Sequence, residues 1–226
     1  MYQTEFENQH HELGTSGFLY RSNKLMYDHA TKSFWSTLKG EPVVGPLVDK
    51  GIKLNRSYVV TTNWADWKSQ HPDTTVLSLD TGHFRNYDEG VAYQQYFATD
   101  KLMFKVPKID TRLKNKDEVF ALRSSDEQLA MSADFLKRNP VYQDTLGKLP
   151  LVVLTNKTGA NRAYQTDGVK IVSWDGRNSA TDETGAKWAV SENKLMLGDK
   201  SLLRMPAHRA FWFGWYSQFP ETRLVK

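Results

Sequence analysis

The feature that most constrains this sequence is an element that occurs twice. Segments 64–74 and 212–222 both read W-x-x-W-x-S-Q-x-P-[DE]-T. Each is soon followed by an apolar pair, Val76-Leu77 in the first case and Leu224-Val225 in the second. Agreement at this many ordered positions, with two tryptophans and a proline among them, predicts an internal duplication of one small unit.

Further matches extend the duplication beyond this element. Thr31-x-Ser33-x-Trp35 matches Thr184-x-Ala186-x-Trp188 (188 − 35 = 153), whereas the offset at the repeated element is smaller (212 − 64 = 148). Such length changes are what loops tolerate. The sequence therefore predicts a single compact domain over residues 1–226, with copy one at about 1–80, a unique insert at about 80–140 and copy two at about 146–226.

Local signals predict a short helix in each repeated element. Asn63 can cap the first helix, with Asp66 at the position of a capping-box acid. Pro72 ends it, because the residue before a proline is pushed out of the helical region. The second copy has no such cap, but Pro206 suits a first helical position, so we expect that helix to begin earlier.

The tryptophans are expected to be structural anchors. Trp64, Trp67 and His71 fall at i, i+3 and i+7, which is one face of a helix. We expect this face to press both indoles into the core, and a surface on which a sugar or a base stacks is the alternative. The full set of expected anchors is Trp35, Trp64, Trp67, Trp188, Trp212 and Trp215.

The rest of the chain predicts a mainly β fold, a β-rich α+β class with antiparallel sheets and short helices. Short apolar segments bounded by glycine and proline are typical of this architecture. Ser57–Thr62 is rich in β-branched residues and is expected to be a strand that leads into the Trp64 helix. Ser132–Arg138 is expected to be a short helix.

Composition narrows the classes of function. The formal charge is +4 and is spread along the chain, which is weak evidence for nucleic-acid binding. There is no cysteine, so the chain can form no disulfide, thiolate metal site or thiol nucleophile. No pair of its 6 histidines has the spacing of a helical zinc site, and His10-His11 is expected to be solvated. No cofactor, metal or membrane span is predicted.

Several short motifs follow one another in a specific order along the chain. They are Gly14-Thr15-Ser16-Gly17, Leu25-Met26-Tyr27-Asp28, Gly45-Pro46-Leu47, His71-Pro72-Asp73-Thr74 and Asp80-Thr81-Gly82 with Arg85. Together they resemble the domain-of-unknown-function 3179 family of bacterial and archaeal proteins. The resemblance spans essentially the whole chain and implies no established activity. It does imply export in a full-length form, and a Cys-x-x-Cys-like pair on a strand just before the region where this chain begins.

The duplication also leads us to expect that copy one lacks a strand at its N-terminus. In copy two the apolar run Leu151–Leu154 precedes Tyr164, which weakly matches Tyr2 (164 − 2 = 162). The counterpart of this run would therefore fall before Met1. A longer form that carried the cysteine pair implied by the resemblance could be a thiol-type oxidoreductase.

Two differences between the copies indicate a candidate site. His71 is replaced by Phe219 in copy two, and the stretch Asp80–Tyr87 has no counterpart there. Loops on rigid scaffolds often carry function. We hypothesise one ligand-binding cleft. The alternatives are that His71 is a core-edge residue with one hydrogen bond and that Asp80–Tyr87 is an ordinary polar turn. The candidate residues are Asp28, His71, Asp80, His83, Arg85 and Tyr87.

Three classes of function follow from these residues. The favoured one is a β-scaffold binding module for a small polar ligand or peptide, with no nucleic-acid partner. The second class is an enzyme. It is either an acid–base enzyme that uses His71, His83 and Asp80 or, in a longer form, a thiol-type oxidoreductase. A nucleic-acid binder is the third and would need clustered basic residues beside exposed rings.

Overall fold

The computed structural model describes residues 1–226, and strands far outnumber helices. The helices are α1 (Trp64–Gln70), α2 (Gln94–Phe97), α3 (Ala133–Arg138) and α4 (Trp212–Gln218). The strands are β1 (Glu5–Phe6), β2 (Gln9–His10), β3 (Leu13–Tyr20), β4 (Asn23–Asp28), β5 (Phe34–Ser36), β6 (Glu41–Val44), β7 (Glu118–Arg123), β8 (Gln128–Ser132), β9 (Val141–Leu146), β10 (Leu149–Thr155), β11 (Asn161–Gln165), β12 (Ile171–Trp174), β13 (Ser179–Asp182), β14 (Lys187–Val190), β15 (Lys194–Leu197), β16 (Lys200–Leu203), β17 (Ala207–Phe211) and β18 (Arg223–Val225).

The strands form five sheets, which confirms the predicted β-rich class. Their orders are β1-β2, β3-β4-β5-β6, β11-β10-β9, β12-β13-β14-β15-β16 and β17-β7-β8-β18. Neighbouring strands are antiparallel except β8 and β18, which pair in parallel. No helix is long and apolar enough to cross a membrane.

The core of the second half is layered, and the alternation of two strands explains the layers. On β7, Val119 and Ala121 pack toward α4, whereas Phe120 and Leu122 pack toward β10. On β10, Leu151 and Val153 face β7 and β8, whereas Val152 and Leu154 face the five-stranded sheet. Successive strand side chains point to opposite faces, so a continuous apolar run fits a strand that is covered on both sides.

Copy one has a much smaller core. Its buried apolar cluster contains Trp35, Leu47 and Leu54, with partly buried neighbours such as Tyr2 and Met26. The four-stranded sheet β3-β4-β5-β6 borders this cluster. No segment of copy one contributes a strand that corresponds to β7, β8 or β10, so the first half lacks the covering layers of the second.

Matching contacts in the two halves support the proposed duplication, which stays a prediction. Trp67 Nε1 donates to Thr74 Oγ1 at 3.1 Å, and Trp215 Nε1 donates to Thr222 Oγ1 at 3.0 Å. Isolated antiparallel bridges join Tyr2 to Arg56 and Tyr164 to Arg204. The tyrosines and the arginines of these bridges lie at matching positions of the two copies.

The helix boundaries agree with the sequence in three places and differ in one. Asn63 Oδ1 accepts from the Asp66 amide at the start of α1, and Ser132 caps α3 in the same way. His71 ends α1 immediately before Pro72. The expectation that α4 begins near Pro206 is wrong, because residues 207–211 form β17 and are held as a strand by pairing with β7.

The predicted strand Ser57–Thr62 is wrong, because these residues have no partner strand. Burial differs from expectation in the same region. Trp212 and Trp215 are fully buried, but Trp64 is 48 % exposed and Trp67 is half-buried. In copy two the strands β7 and β8 cover the indoles, and nothing takes that place over Trp64.

Candidate functional site

A polar cavity of about 350 Å³ lies where α1 of copy one meets the five-stranded sheet of copy two. We call it the junction pocket. Its lining is largely polar and combines the C-terminal end of α1 with loops that flank the strands of copy two. The lining residues that matter below are His71, Asn156, Arg162, Trp174, Arg177 and Glu192.

Asp66 attaches α1 to copy two and so fixes one wall of the pocket. Its Oδ2 accepts from Asn156 Nδ2 at 2.9 Å and from Thr158 Oγ1 at 3.2 Å. Thr62 Oγ1 donates to the same oxygen at 2.6 Å. Burial raises the pKa of Asp66, but the hydrogen bonds from Thr62, Asn156 and Thr158 outweigh it and lower the pKa. The carboxylate is therefore ionised at neutral pH.

Asn156 is itself held in place by the loop that carries it. Its Oδ1 accepts from the backbone amide of Ala160 at 2.8 Å and from that of Thr158 at 3.1 Å. The side chain therefore uses its oxygen to order the turn between β10 and β11 and its nitrogen to hold Asp66. The position of His71 at the end of α1 depends on this chain of contacts.

A buried ion-pair network forms the opposite wall. Arg162 is only 5 % exposed, and its Nε donates to Glu192 Oε1 at 2.9 Å. Its Nη2 donates to the same oxygen, so Glu192 binds Nε and Nη2 of Arg162 but not Nη1. Arg204 Nη1 binds Glu192 Oε2 at 3.0 Å. Burial raises the pKa of Glu192, but Arg162 and Arg204 outweigh it and lower the pKa.

His71 borders the pocket and stacks on Trp67, with ring centroids 3.9 Å apart. In copy two, Phe219 stacks on Trp215 at 4.5 Å, and its backbone angles as helix C-cap are nearly those of His71. A flat ring therefore occupies this position in both copies, and only copy one has imidazole nitrogens there.

Two further residues on the pocket wall have unused hydrogen-bonding capacity. The indole Nε1 of Trp174 is buried and has no hydrogen-bond partner in the protein. Arg177 is exposed, and its one side-chain contact is a long hydrogen bond of 3.4 Å to Ser69 Oγ. With Arg162, Arg177 and Glu192, the lining carries a net positive charge when His71 is neutral.

The hydroxyl and carboxyl groups that line the junction pocket are engaged in contacts within the fold. The hydroxyls of Ser69 and Ser191 donate to backbone carbonyls, and no histidine or carboxylate contacts either of them. Glu192 is held as a carboxylate by two guanidinium groups, so it is poorly suited to donate a proton. No group of three or more His, Asp or Glu side chains could hold a metal ion.

The predicted cleft is not formed, because its candidate residues lie in separate places. His71 lines the junction pocket, but Asp80, His83, Arg85 and Tyr87 do not. The segment 75–95 is exposed throughout. Of the four candidate residues in this segment, Tyr87 makes a side-chain hydrogen bond, between its Oη and Thr81 Oγ1 at 2.8 Å. The side-chain hydrogen bonds of this segment are local, so they do not bring these residues to His71.

Asp28 lies in a different region, fully buried, where His11 Nδ1 is 3.0 Å from its Oδ2. The expectation that both His10 and His11 are solvated is therefore wrong for His11, which is 5 % exposed and stacks on Phe6. Burial raises the pKa of Asp28, but hydrogen bonds from Thr31, the Ala30 amide and His11 outweigh it and lower the pKa.

Copy two explains the Asp28 cluster as a structural turn. Asp182 holds the equivalent turn through Thr184 Oγ1 at 2.6 Å, and its Oδ2 accepts from Trp188 Nε1 at 2.8 Å. In copy one, His11 takes the place of the indole, and Trp35 Nε1 is left without a partner. The His11–Asp28 pair therefore replaces a structural hydrogen bond.

Sequence analysis missed Arg162, Glu192, Trp174 and Arg177, because the segment that carries Arg162 is polar in sequence. In the fold this segment is β11, and Arg162 is buried there together with Asn161, Ala163 and Tyr164. A charged residue in such a strand requires a partner. The partner, Glu192, lies in a loop 30 positions away, and only the fold reveals the pairing.

Comparison with known proteins gives one match. The model of a family described as "Protein of unknown function (DUF3179)" matches residues 1–222. No curated protein and no solved structure matches the chain.

Proposed function

Since the chain belongs to the DUF3179 family, whose members are described only as proteins of unknown function, we propose a function from the geometry alone. The chain is a β-scaffold binding module, and the junction pocket takes a small polar ligand or peptide that carries an acidic group. Binding sites are usually concave and mainly apolar, with a few polar groups that orient the ligand. The junction pocket is concave but largely polar, which suits a polar ligand.

One observation carries this proposal. Arg162 is almost completely buried at the pocket wall, and Glu192 engages only its Nε and Nη2. Arg177 adds a second guanidinium with one weak contact. A carboxylate or phosphate that entered the pocket would meet a net positive lining, and charge-assisted hydrogen bonds to arginine are among the stronger polar contacts.

The acid–base alternative receives less support. His71, His83 and Asp80 make no hydrogen bond or ion pair with one another. The histidine of the junction pocket, His71, is not paired with a carboxylate. The thiol alternative concerns residues that this sequence does not contain. The binding function therefore accounts for more of the described geometry than either enzyme.

Indole N–H resonances test the proposal directly. We would titrate the ¹⁵N-labelled protein with succinate, inorganic phosphate and the dipeptide Asp-Gly, and follow the indole signals of its 7 tryptophans. The proposal expects a saturable shift of the Trp174 signal with at least one probe. Trp35 is a matched reference, because its Nε1 is also buried without a partner but lies outside the pocket.

Variants make the same test residue-specific. Arg177→Gln removes an exposed charge at the pocket, and Arg138→Gln removes an exposed charge elsewhere. The first should weaken binding of the probe by about tenfold and the second should leave it unchanged. A Trp174 signal that fails to move with any probe, or that moves equally in both variants, would contradict the proposal.

A further inference from the structure

We propose that copy one presents a docking face for a β-hairpin supplied by a partner polypeptide. The face, which we call the open face, consists of Val59–Asn63, Trp64 and Thr75–Leu77. Neither of its two extended segments is paired in a sheet. None of its residues lines the junction pocket, so this inference is independent of the proposed function.

Copy two shows what covers such a face. At the repeat offset of 148 (212 − 64 = 148), Val59–Asn63 corresponds to β17 and Thr75–Leu77 corresponds to β18. In copy two, β17 pairs antiparallel with β7, and β18 pairs in parallel with β8. The hairpin β7-β8 therefore fills the space between the two strands that frame α4.

The side chains of the two faces show the same difference. Val119, Ala121 and Ala130 of the hairpin pack on Trp212 and Trp215, which are fully buried. In copy one the matching Trp64 is 48 % exposed.

The apolar pair after the helix behaves in the same way. Leu224 packs against the tryptophan cluster of copy two, and Val225 packs against the core on the other side of the sheet. The matching residues Val76 and Leu77 are 72 % and 92 % exposed. Large apolar side chains that are exposed here and buried or packed at the matching positions of copy two indicate an interaction site.

The frame of the open face is already set for such a partner. The C-cap residue of α1 has φ −130° and ψ 71°, and that of α4 has φ −132° and ψ 70°. The Trp67–Thr74 hydrogen bond holds the exit from α1 as the Trp215–Thr222 bond holds the exit from α4. The chain that leaves α1 is thus directed like the chain that leaves α4.

These observations define the chemistry of the partner. It is a two-stranded hairpin with small apolar side chains toward Trp64 and Trp67, as Val119, Ala121 and Ala130 are toward α4. One strand adds antiparallel to Val59–Asn63 and the other adds in parallel to Thr75–Leu77, which is strand addition at two edges. A second copy of this face offers two unpaired segments around a helix, and not two adjacent strands.

A fusion tests the proposal with the chain's own hairpin. We would attach a second copy of residues 117–132 ahead of Met1 through a flexible Gly/Ser linker, because an isolated hairpin is only marginally stable. Hydrogen exchange of the amides at 59–62 and 75–77 is the readout. The proposal expects exchange there to slow by about tenfold or more relative to the unfused chain.

The control fusion carries Val119→Asp and Ala121→Asp in the added hairpin only, so that its face can no longer pack on indoles. Equal exchange in the two fusions would overturn the proposal. Within the chain, Val76→Asp should abolish the protection, whereas Val172→Asp, at another exposed valine, should leave it intact.

Sedimentation of the unfused chain tests whether a second copy of the chain, and not a hairpin, covers the open face. A dimer that Val76→Asp dissociates and Val172→Asp does not would assign the open face to a second copy and overturn the hairpin proposal. A monomer across the concentration range, together with protection in the fusion, supports it.

Discussion

Asp66 accepts a hydrogen bond from Asn156 at 2.9 Å, and this contact joins the helix of copy one to a loop of copy two. The residue at the matching position of α4 is Gly214, so α4 has no such side chain. The repeated helix therefore serves two purposes. In copy two it anchors a core, and in copy one it holds His71 at the edge of the junction pocket.

Asp66→Asn should destabilise the protein and loosen the pocket. The amide keeps the size of the side chain but has one accepting oxygen and no charge. With that oxygen in place of Oδ2, the bond from Gln70 Nε2 to Oδ1 is lost, and the bonds from Thr62, Asn156 and Thr158 lose their charge assistance. We expect a loss of about 1–2 kcal/mol in the free energy of unfolding, measured with urea. Asp134→Asn, at an exposed first-turn acid of α3, is the control and should change little.

Tryptophans at matching positions of the repeat should differ in their contribution to stability. Trp212→Ala leaves a cavity in a fully buried cluster and should cost about 3–5 kcal/mol in the free energy of unfolding. Trp64→Ala removes a ring that is half in solvent and should cost much less. Equal losses in denaturant unfolding would show that Trp64 is covered in solution.

Asp182 should make stability sensitive to acid. Hydrogen bonds from Thr184 and Trp188 lower its pKa from 3.8 to about 2. Because the folded-state pKa is depressed, this carboxylate stabilises the fold above about pH 4, and its contribution is lost as the pH falls toward 2. The free energy of unfolding, measured with urea, should therefore fall less steeply from pH 7 to pH 2 in Asp182→Asn than in the wild type. Asp199→Asn, at an exposed turn, should retain the wild-type slope.

His208 should act over a different pH range. Burial, together with nearby positive charge, lowers its pKa from 6.5 to about 4, and its Nε2 has no hydrogen-bond partner. Between about pH 6.5 and about pH 4, this imidazole is therefore protonated in the unfolded chain but neutral in the folded protein. The free energy of unfolding falls as the pH drops through this range. His208→Val, which copies Val60 at the matching position, should flatten this slope in urea titrations, and His10→Val should not.

The sequence predicted those features that depend on near neighbours. Asn63 and Pro72 bound α1 as expected, and Ser132 caps α3, because caps and prolines act within one turn. The repeated motif also predicted both helices. Its weakness was that it could not tell whether a strand-forming segment has a partner, and Ser57–Thr62 has none.

The candidate site was harder to predict because it depends on contacts between distant segments. The difference between the copies at position 71 indicates His71, which does line the junction pocket. Asp80, His83, Arg85 and Tyr87 are chemically varied and close in sequence, but closeness in sequence does not create a pocket. Arg162 and Glu192 were missed, because a buried ion pair is recognised only when both partners are in view.

The parallel pairing of β8 with β18 has a consequence for how the protein folds. It joins residues 129–131 to residues 223–225, and β17 on the other edge joins residues 118–122 to residues 207–211. The five-stranded sheet, by contrast, pairs each strand with its neighbour in the chain. Closing long loops slows folding. The five-stranded sheet should therefore form early, and the sheet β17-β7-β8-β18 should form late. During synthesis the hairpin β7-β8 therefore leaves the ribosome long before either flanking strand. Its two free edges are then the part of the nascent chain most open to wrong strand pairing and to chaperones.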